Sequence, residues 1–371
     1  MNNKDFPCKA SNIYDKNINF LFGSGASASY IPTLYLDKKT TYETLLTHED
    51  CEGVKDFILC SYFNNIIRKT FCVKPNSEDK KYNSTLANYS YFIDELIKLL
   101  EKKGANQIRR ANIFTTNYDL FFETAADDIL NNKTFHFNDG GLGFKSRKLN
   151  ISNFHITAWH QGTHDMYKHE IPTLNLIKMH GSVSWCRDIN ETISINYTQE
   201  EPPKFRLDTK KDINDLVTTL NETSDNLVSY LNLSTSDQET LKDFKSYYNN
   251  LAIVSPTKEK FSETVFQQHY YQCLRLLSYE LEKPQTVLIC FGFSFQDEHI
   301  REIIKRSLSN PTLKVFVFCY SKSSMESIQH IINDQRITYI LPIEDDHTIS
   351  FKPFIDRVFR SEHGDWITWK N

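Results

Sequence analysis

Several apolar runs in this chain end on a small or polar residue and open into a helical pattern, and the first sets the terms for the rest. Asn17-Ile18-Asn19-Phe20-Leu21-Phe22 has the length and composition of a buried strand, and it breaks into Gly23-Ser24-Gly25-Ala26-Ser27-Ala28-Ser29. A helix is expected to start there, with Ser27 and Ser29 as candidate caps. Gly23 and Gly25 would let the backbone take positive φ and approach a ligand closely, while N–H groups at the helix start would face an anion. The outline is that of a phosphate cradle; the plainer alternative is a tight turn.

The design recurs along the chain. Ala111-Asn112-Ile113-Phe114-Thr115-Thr116 reads as a short strand running into a helix, with Asn117 and Asp119 at the junction. Either could simply cap that helix. Leu174 to Met179 is a further strand, ending on His180-Gly181, and a lone strand-end histidine is more often hydrogen-bonded structure than catalyst. Leu251 to Pro256, Thr286 to Phe291, Leu313 to Cys319 and Ile337 to Ile340 complete about seven strands, and Thr286 to Phe291 again ends in Gly-x-Ser, Gly292-Phe293-Ser294. Strands alternating with helices predict an α/β fold, a doubly wound parallel sheet (Rossmann-like) with helical insertions. Ligands of such sheets gather at the carboxyl ends of the strands, so Asn117, Asp119 and His180 would share a crevice with the glycine loop.

The 371 residues are expected to form a single domain, 1–371, with a core of about 13–40, 109–187 and 250–345 and insertions of about 41–108 and 188–249. The second insertion is polar and reads as a lid or an assembly surface. Lys74 to Ser84 reads as an exposed loop, Phe135 to Asn153 as a loop or hairpin, and Phe266 to Leu281 as a long amphipathic helix ending before Pro284. A net charge of -4 and a pI near 6.3 give no global pull toward nucleic acid or anionic membrane. No apolar run approaches the roughly 20 residues of a membrane helix, and a cytoplasmic chain is expected. The eight cysteines include no Cys-x-x-Cys pair, and although His160 and His164 are four apart, Gly162 spoils the helix that would align them, so no metal site is expected.

Four of these segments, in order, resemble the sirtuin superfamily, specifically the bacterial branch used in antiphage defence. Gly23-Ser24-Gly25-Ala26-Ser27 is similar to the Gly-Ala-Gly-x-Ser pyrophosphate loop, Thr115-Thr116-Asn117-Tyr118-Asp119 to the Thr-Gln-Asn-x-Asp motif, His180-Gly181 to the catalytic His-Gly pair, and Gly292-Phe293-Ser294 to the Gly-Thr-Ser adenosine loop. The departures also inform. Only Cys186 stands where deacylating sirtuins carry a four-cysteine zinc module, and Ser182-Val183-Ser184-Trp185 replaces the Phe-Gly-Glu of the acyl-peptide groove. Ile31-Pro32 lacks the Asp-Phe-Arg that follows in sirtuins.

The resemblance implies NAD+ as a substrate, no zinc, and water as the acceptor, giving ADP-ribose and nicotinamide. It implies Asn117 and His180 as catalytic, the amide orienting a water at the anomeric carbon and the imidazole acting as base. Gly23, Ser24, Gly25, Ala26 and Ser27 would take the pyrophosphate, Thr116 and Asp119 the nicotinamide side, and Gly292 with Ser294 the adenosine ribose. Partners implied are further copies of the chain and a separately encoded sensor, with a HerA-like hexameric ATPase as the leading candidate. Rival readings are a deacylase or ADP-ribosyltransferase without its zinc module, and a non-catalytic module that senses NAD or ADP-ribose.

Overall fold

The structure is a computed structural model and describes residues 8–37, 39–72, 78–104, 106–163, 168–187, 192–197, 201–222, 227–256, 264–342, 348–360 and 366–369. Its centre is an eight-stranded sheet of β1 (Asn17–Phe22), β2 (Arg110–Thr115), β3 (His136–Asn138), β4 (Thr173–Lys178), β5 (Thr286–Phe291), β6 (Lys314–Phe318), β7 (Ile337–Pro342) and β8 (Trp366–Trp369). Their spatial order is β8-β7-β6-β5-β1-β2-β4-β3, all parallel except β8, which runs antiparallel to β7. The chain leaves β1 toward β2 on one side and later returns to lay β5 on the other. Such a reversal parts the connecting segments above the strand ends and opens a crevice there.

Both faces of the sheet are covered. Ile18, Phe20 and Phe22 of β1 point into a core shared with α1 (Lys80–Glu101), α2 (Phe121–Leu130) and α6 (Phe351–Phe359). This core is aromatic: Phe22 meets Phe92 at 5.1 Å in an edge-on contact, and Phe291 stacks on Phe354 at 4.5 Å. Leu21, by the alternation of a strand, faces the opposite core with Phe114 and Ile177, under α3 (Thr264–Glu282), α4 (Glu298–Ser307) and α5 (Lys322–Ile331).

On the Leu21 face four buried asparagines lie abreast. Asn19 pairs in register with Asn112, Asn112 with Asn175, and Asn175 with Asn138, on four adjacent parallel strands. Their amides form a ladder: Asn112 Nδ2 donates to Asn19 Oδ1 at 2.8 Å, Asn175 Nδ2 to Asn112 Oδ1 at 2.9 Å, and Asn138 Nδ2 to Asn175 Oδ1 at 3.0 Å. A one-residue slip of any strand would move its amide to the other face and leave neighbouring amides buried without partners, so the ladder fixes the register of this half of the sheet.

Several expectations change. The seventh parallel strand is His136–Asn138, too short to show a pattern in the sequence, and not Leu251 to Pro256, which makes only an isolated bridge between Ile253 and Gly181. No α-helix starts directly at the end of β1: Ser24–Ala26 is a single 3-10 turn, and among the described residues the next helix is Tyr42–Leu46. Asp79 caps α1 by accepting from the N–H groups of Lys81 and Tyr82, so Lys80 to Ser84 is helix where a loop is expected. His164 lies outside the described residues. The first insertion contributes Lys55–Tyr62, continued through a π-helical turn, Phe63–Ile67, into Arg68–Thr70. The second contributes Ile213–Glu222, Leu227–Leu231 and Thr235–Tyr248. Among the described residues no helix is long and apolar enough to cross a membrane.

Candidate active site

The crevice lies above the carboxyl ends of β1, β2, β4 and β5 and is lined by Gly23, Ser24 and Ser27 after β1, Thr116 to Asp119 after β2, His180 after β4, and Gly292 to Ser294, Gln296 and Asp297 after β5. The first insertion closes the far wall with Glu43, Tyr62, Ile66 and Thr70, beside Leu34 of the segment after β1, so the π-helical turn borders the cavity. Val254 to Pro256, which forms no strand, supplies the remaining side.

The two glycine loops are pressed together. A Cβ on Gly23 would lie 2.4 Å from the Gly292 carbonyl oxygen, and one on Gly25 2.5 Å from Gly292 Cα. Gly292 itself has φ +65°, open to glycine at little cost. Gly23 and Gly25 are therefore required by close backbone contact and not by positive φ, Gly23 being extended at φ -114°. The N–H groups expected to face an anion are used inside this junction: Gly23 donates to Phe291, Gly25 to Gly292, Ala26 to Gly23 and Ser27 to Ser24. Gly25 and Ala26 do not line the cavity; they build the floor on which Gly23, Ser24 and Ser27 stand.

Ser27, Asn117 and Asp119 form one hydrogen-bonded unit. Ser27 Oγ donates to Asp119 Oδ2 at 3.0 Å and accepts from Asn117 Nδ2 at 3.3 Å. Asp119 Oδ1 accepts from the N–H of Phe121 at 3.3 Å, but the N-cap of α2 is Leu120, without a side-chain cap, so neither Asn117 nor Asp119 is the cap offered as the plainer alternative; the carboxylate ties the first turn of α2 to the glycine loop. Burial pushes the Asp119 carboxyl up against the opposing pull of Lys178 and Ser27. Thr116 anchors the segment by donating its N–H to the Phe22 carbonyl at 3.1 Å, and Asn117 N–H is held by Thr115 Oγ1 at 3.0 Å.

Beneath this unit sits a buried ion pair absent from the sequence reading. Lys178 Nζ, at the end of β4, lies 3.0 Å from Glu123 Oε1 and also donates to the Asp119 carbonyl. Both side chains are under a tenth exposed. Burial pushes Glu123 up to about 7 although Lys178 pulls the other way. Tyr89, from α1, is fully buried, and burial with the nearby Asp119 charge pushes its hydroxyl well up. These groups support the Asn117 segment from below, and only their place in the fold reveals it.

His180 is set by the turn after it. Gly181 has φ +86°, and a Cβ there would lie 2.1 Å from the Ala252 carbonyl oxygen. That contact lets the His180 carbonyl accept from the Val254 N–H at 2.8 Å, drawing residues 252–254 over the strand end. Tyr118 OH donates to the Val254 carbonyl at 2.6 Å and completes the same corner. His180 Nε2 stands 2.7 Å from Asp297 Oδ2, a partner the sequence reading missed because it lies 117 residues away and looks only like a helix cap.

The sequence-derived residues thus converge, with Asn117, His180, Ser27, Asp119, Gly292 and Ser294 on one cavity. The charged groups lining it are Glu43, Asp119 and Asp297, and among the described lining residues there is no lysine or arginine. Among the described residues no group of three or more His, Cys, Asp or Glu could hold a metal.

A parallel sheet with a crevice at the reversal of strand order, lined by an amide, an imidazole and two abutting glycine loops, is the arrangement at which doubly wound α/β proteins take their ligands. A family model described as the SIR2-like domain matches residues 111–340, from β2 into β7, and the chain belongs to that family. Its domains use NAD+. A comparison with curated proteins found no match.

Proposed function

We propose that this protein is an NAD+ glycohydrolase that cleaves the nicotinamide–ribose bond with water to give ADP-ribose, nicotinamide and a proton. The observation that supports this reading is that Asn117 and His180 line one cavity, with Ser27 Oγ accepting from the asparagine amide.

As the pyridine leaves, the anomeric carbon takes on oxocarbenium character, and catalysis requires a held leaving group, a stabilised cation and a placed water. Asn117 orients the water and the ribose. His180 takes the proton from the water or from a ribose hydroxyl. The carboxylates of Asp119 and Asp297 favour the positive charge that NAD+ brings and that the sugar then acquires. The pyrophosphate lies on Gly23, Ser24 and Ser27, and the adenosine ribose on Gly292 and Ser294. The backbone contact between the two glycine loops fixes the pyrophosphate and ribose ends of the proposed site relative to one another.

In this reading the protein depletes NAD+ as an effector of antiphage defence, acts as a homo-oligomer, and is restrained or triggered by a separately encoded partner such as a HerA-like hexameric ATPase. Incubation of the purified protein with NAD+, alone and with the neighbouring gene's product, followed by separation of nucleotides, tests it. Free ADP-ribose and nicotinamide are expected, and Asn117→Ala and His180→Ala are expected to abolish both while staying folded. Label from NAD+ appearing on a protein would favour transfer, and binding without turnover would favour a sensor.

A further inference from the structure

We infer that Asp297 is a positioning residue for His180: it holds the ring proton on Nε2 and so leaves Nδ1 as the nitrogen that accepts a proton. The inference rests on the reading of His180 as the base.

Three observations support it. First, the carboxylate and the ring are close and sheltered, with Nε2 2.7 Å from Oδ2 and side chains 14% and 9% exposed. Nε2 makes no hydrogen bond in this arrangement, and Oδ2, an acceptor only, stands 2.7 Å from it, so the carboxylate favours the tautomer that carries its proton on Nε2. Second, the other carboxylate oxygen is committed: Oδ1 accepts from the Ile300 N–H at 3.2 Å and caps α4, which fixes which oxygen faces the histidine. Third, the loop that delivers Asp297 holds an unusual backbone. Phe295 adopts φ +61°, a region bulky side chains avoid, and is kept there by full burial against Phe293 at 5.0 Å and by Arg301 Nη1 donating to its carbonyl at 3.3 Å. With Gly292 also at positive φ, the chain folds back over the strand end and brings Asp297 to His180.

The arrangement makes Asp297→Asn informative. Asparagine caps helices as well as aspartate does, so α4 keeps its start. Capping commits the amide oxygen to Ile300, leaving the NH2 group to face Nε2. An NH2 group only donates, so Nε2 must accept and the ring proton must move to Nδ1.

The test uses the full chain carrying 15N-labelled histidine, studied by long-range proton–nitrogen correlation at a pH where the rings are neutral, with His180→Ala assigning the signal. The proton is expected on Nε2 in the wild type and on Nδ1 in Asp297→Asn. A wild-type ring protonated on Nδ1, or the same tautomer in both proteins, overturns the inference. In the NAD+ assay Asp297→Asn is expected to lose about 10⁴-fold in kcat with KM changed only a few-fold, the scale seen when an amide replaces the acid behind a catalytic histidine. Asp297→Ser, which keeps the cap but removes the misdirecting amide, is expected to lose less. If His180→Ala hydrolyses NAD+ normally, the parent reading fails, while the tautomer still decides the role of Asp297. If His180→Ala is dead and Asp297→Asn fully active, only the inference fails.

Discussion

Replacing Gly25 with alanine tests whether the two glycine loops must touch. The new Cβ would sit 2.5 Å from Gly292 Cα, 3.2 Å from its oxygen and 3.3 Å from its carbonyl carbon, all backbone atoms that cannot rotate aside. Ordinary contact begins near 3.4 Å, so the β1 and β5 loops must part by about 0.9 Å. Overpacking of this kind costs about 1–3 kcal/mol. Parting the loops also strains the hydrogen bond from Gly25 N–H to the Gly292 carbonyl, worth about 1 kcal/mol. The narrower unfolded ensemble of alanine returns about 0.4–1 kcal/mol. A net loss of about 2 kcal/mol is expected from urea unfolding. Because Ser27 and Ser294 move with their loops, and a displacement of about 1 Å can cost on the order of 10²-fold in rate, NAD+ turnover should fall by about that factor. Gly104→Ala, whose Cβ would have its nearest neighbour at 4.0 Å, is the control and should keep full turnover and gain about 0.4–1 kcal/mol from the same unfolded-state effect. Gly25→Ala indistinguishable from wild type in both measurements would refute the claim that the loops are in obligatory contact.

Two further substitutions probe the support beneath the site. Asn112→Leu removes two of the three hydrogen bonds of the amide ladder, stranding Asn19 Oδ1 and one donor of Asn175, and should destabilise the protein by about 2–4 kcal/mol in denaturant titration; a loss under 1 kcal/mol would show the ladder to be incidental. Lys178→Met leaves Glu123 buried without its cation and should cost about 3–5 kcal/mol at pH 8. The sign with pH follows from Glu123. Burial raises its folded pKa to about 7, above that of the unfolded chain, so ionisation opposes folding increasingly as pH rises from the ordinary carboxylate range through 7. Without Lys178 the folded pKa rises further. The variant's deficit should therefore shrink toward pH 5, and a deficit independent of pH would contradict the pairing.

What the sequence determined by itself was what local patterning carries. Predominantly apolar runs of four or more residues announced β1, β2, β4, β5, β6 and β7, and the alternation with helices announced a parallel sheet. The strand-end residues Asn117, His180 and Ser27 were legible because their chemistry stands out at the end of an apolar run. Tertiary structure alone decided the rest. His136–Asn138 becomes a strand because β4 offers an edge to pair with, and Leu251 to Pro256 does not because Gly181 draws it across the strand ends. The reason for Gly23 and Gly25 changed from backbone conformation to contact with Gly292, which a one-dimensional reading cannot contain. Lys178 with Glu123, the asparagine ladder, and Asp297 with His180 are pairings across 37 to 117 residues of chain. Charge and hydrogen bonding act through space at about 3 Å, so such partners acquire meaning only when the fold closes the distance between them.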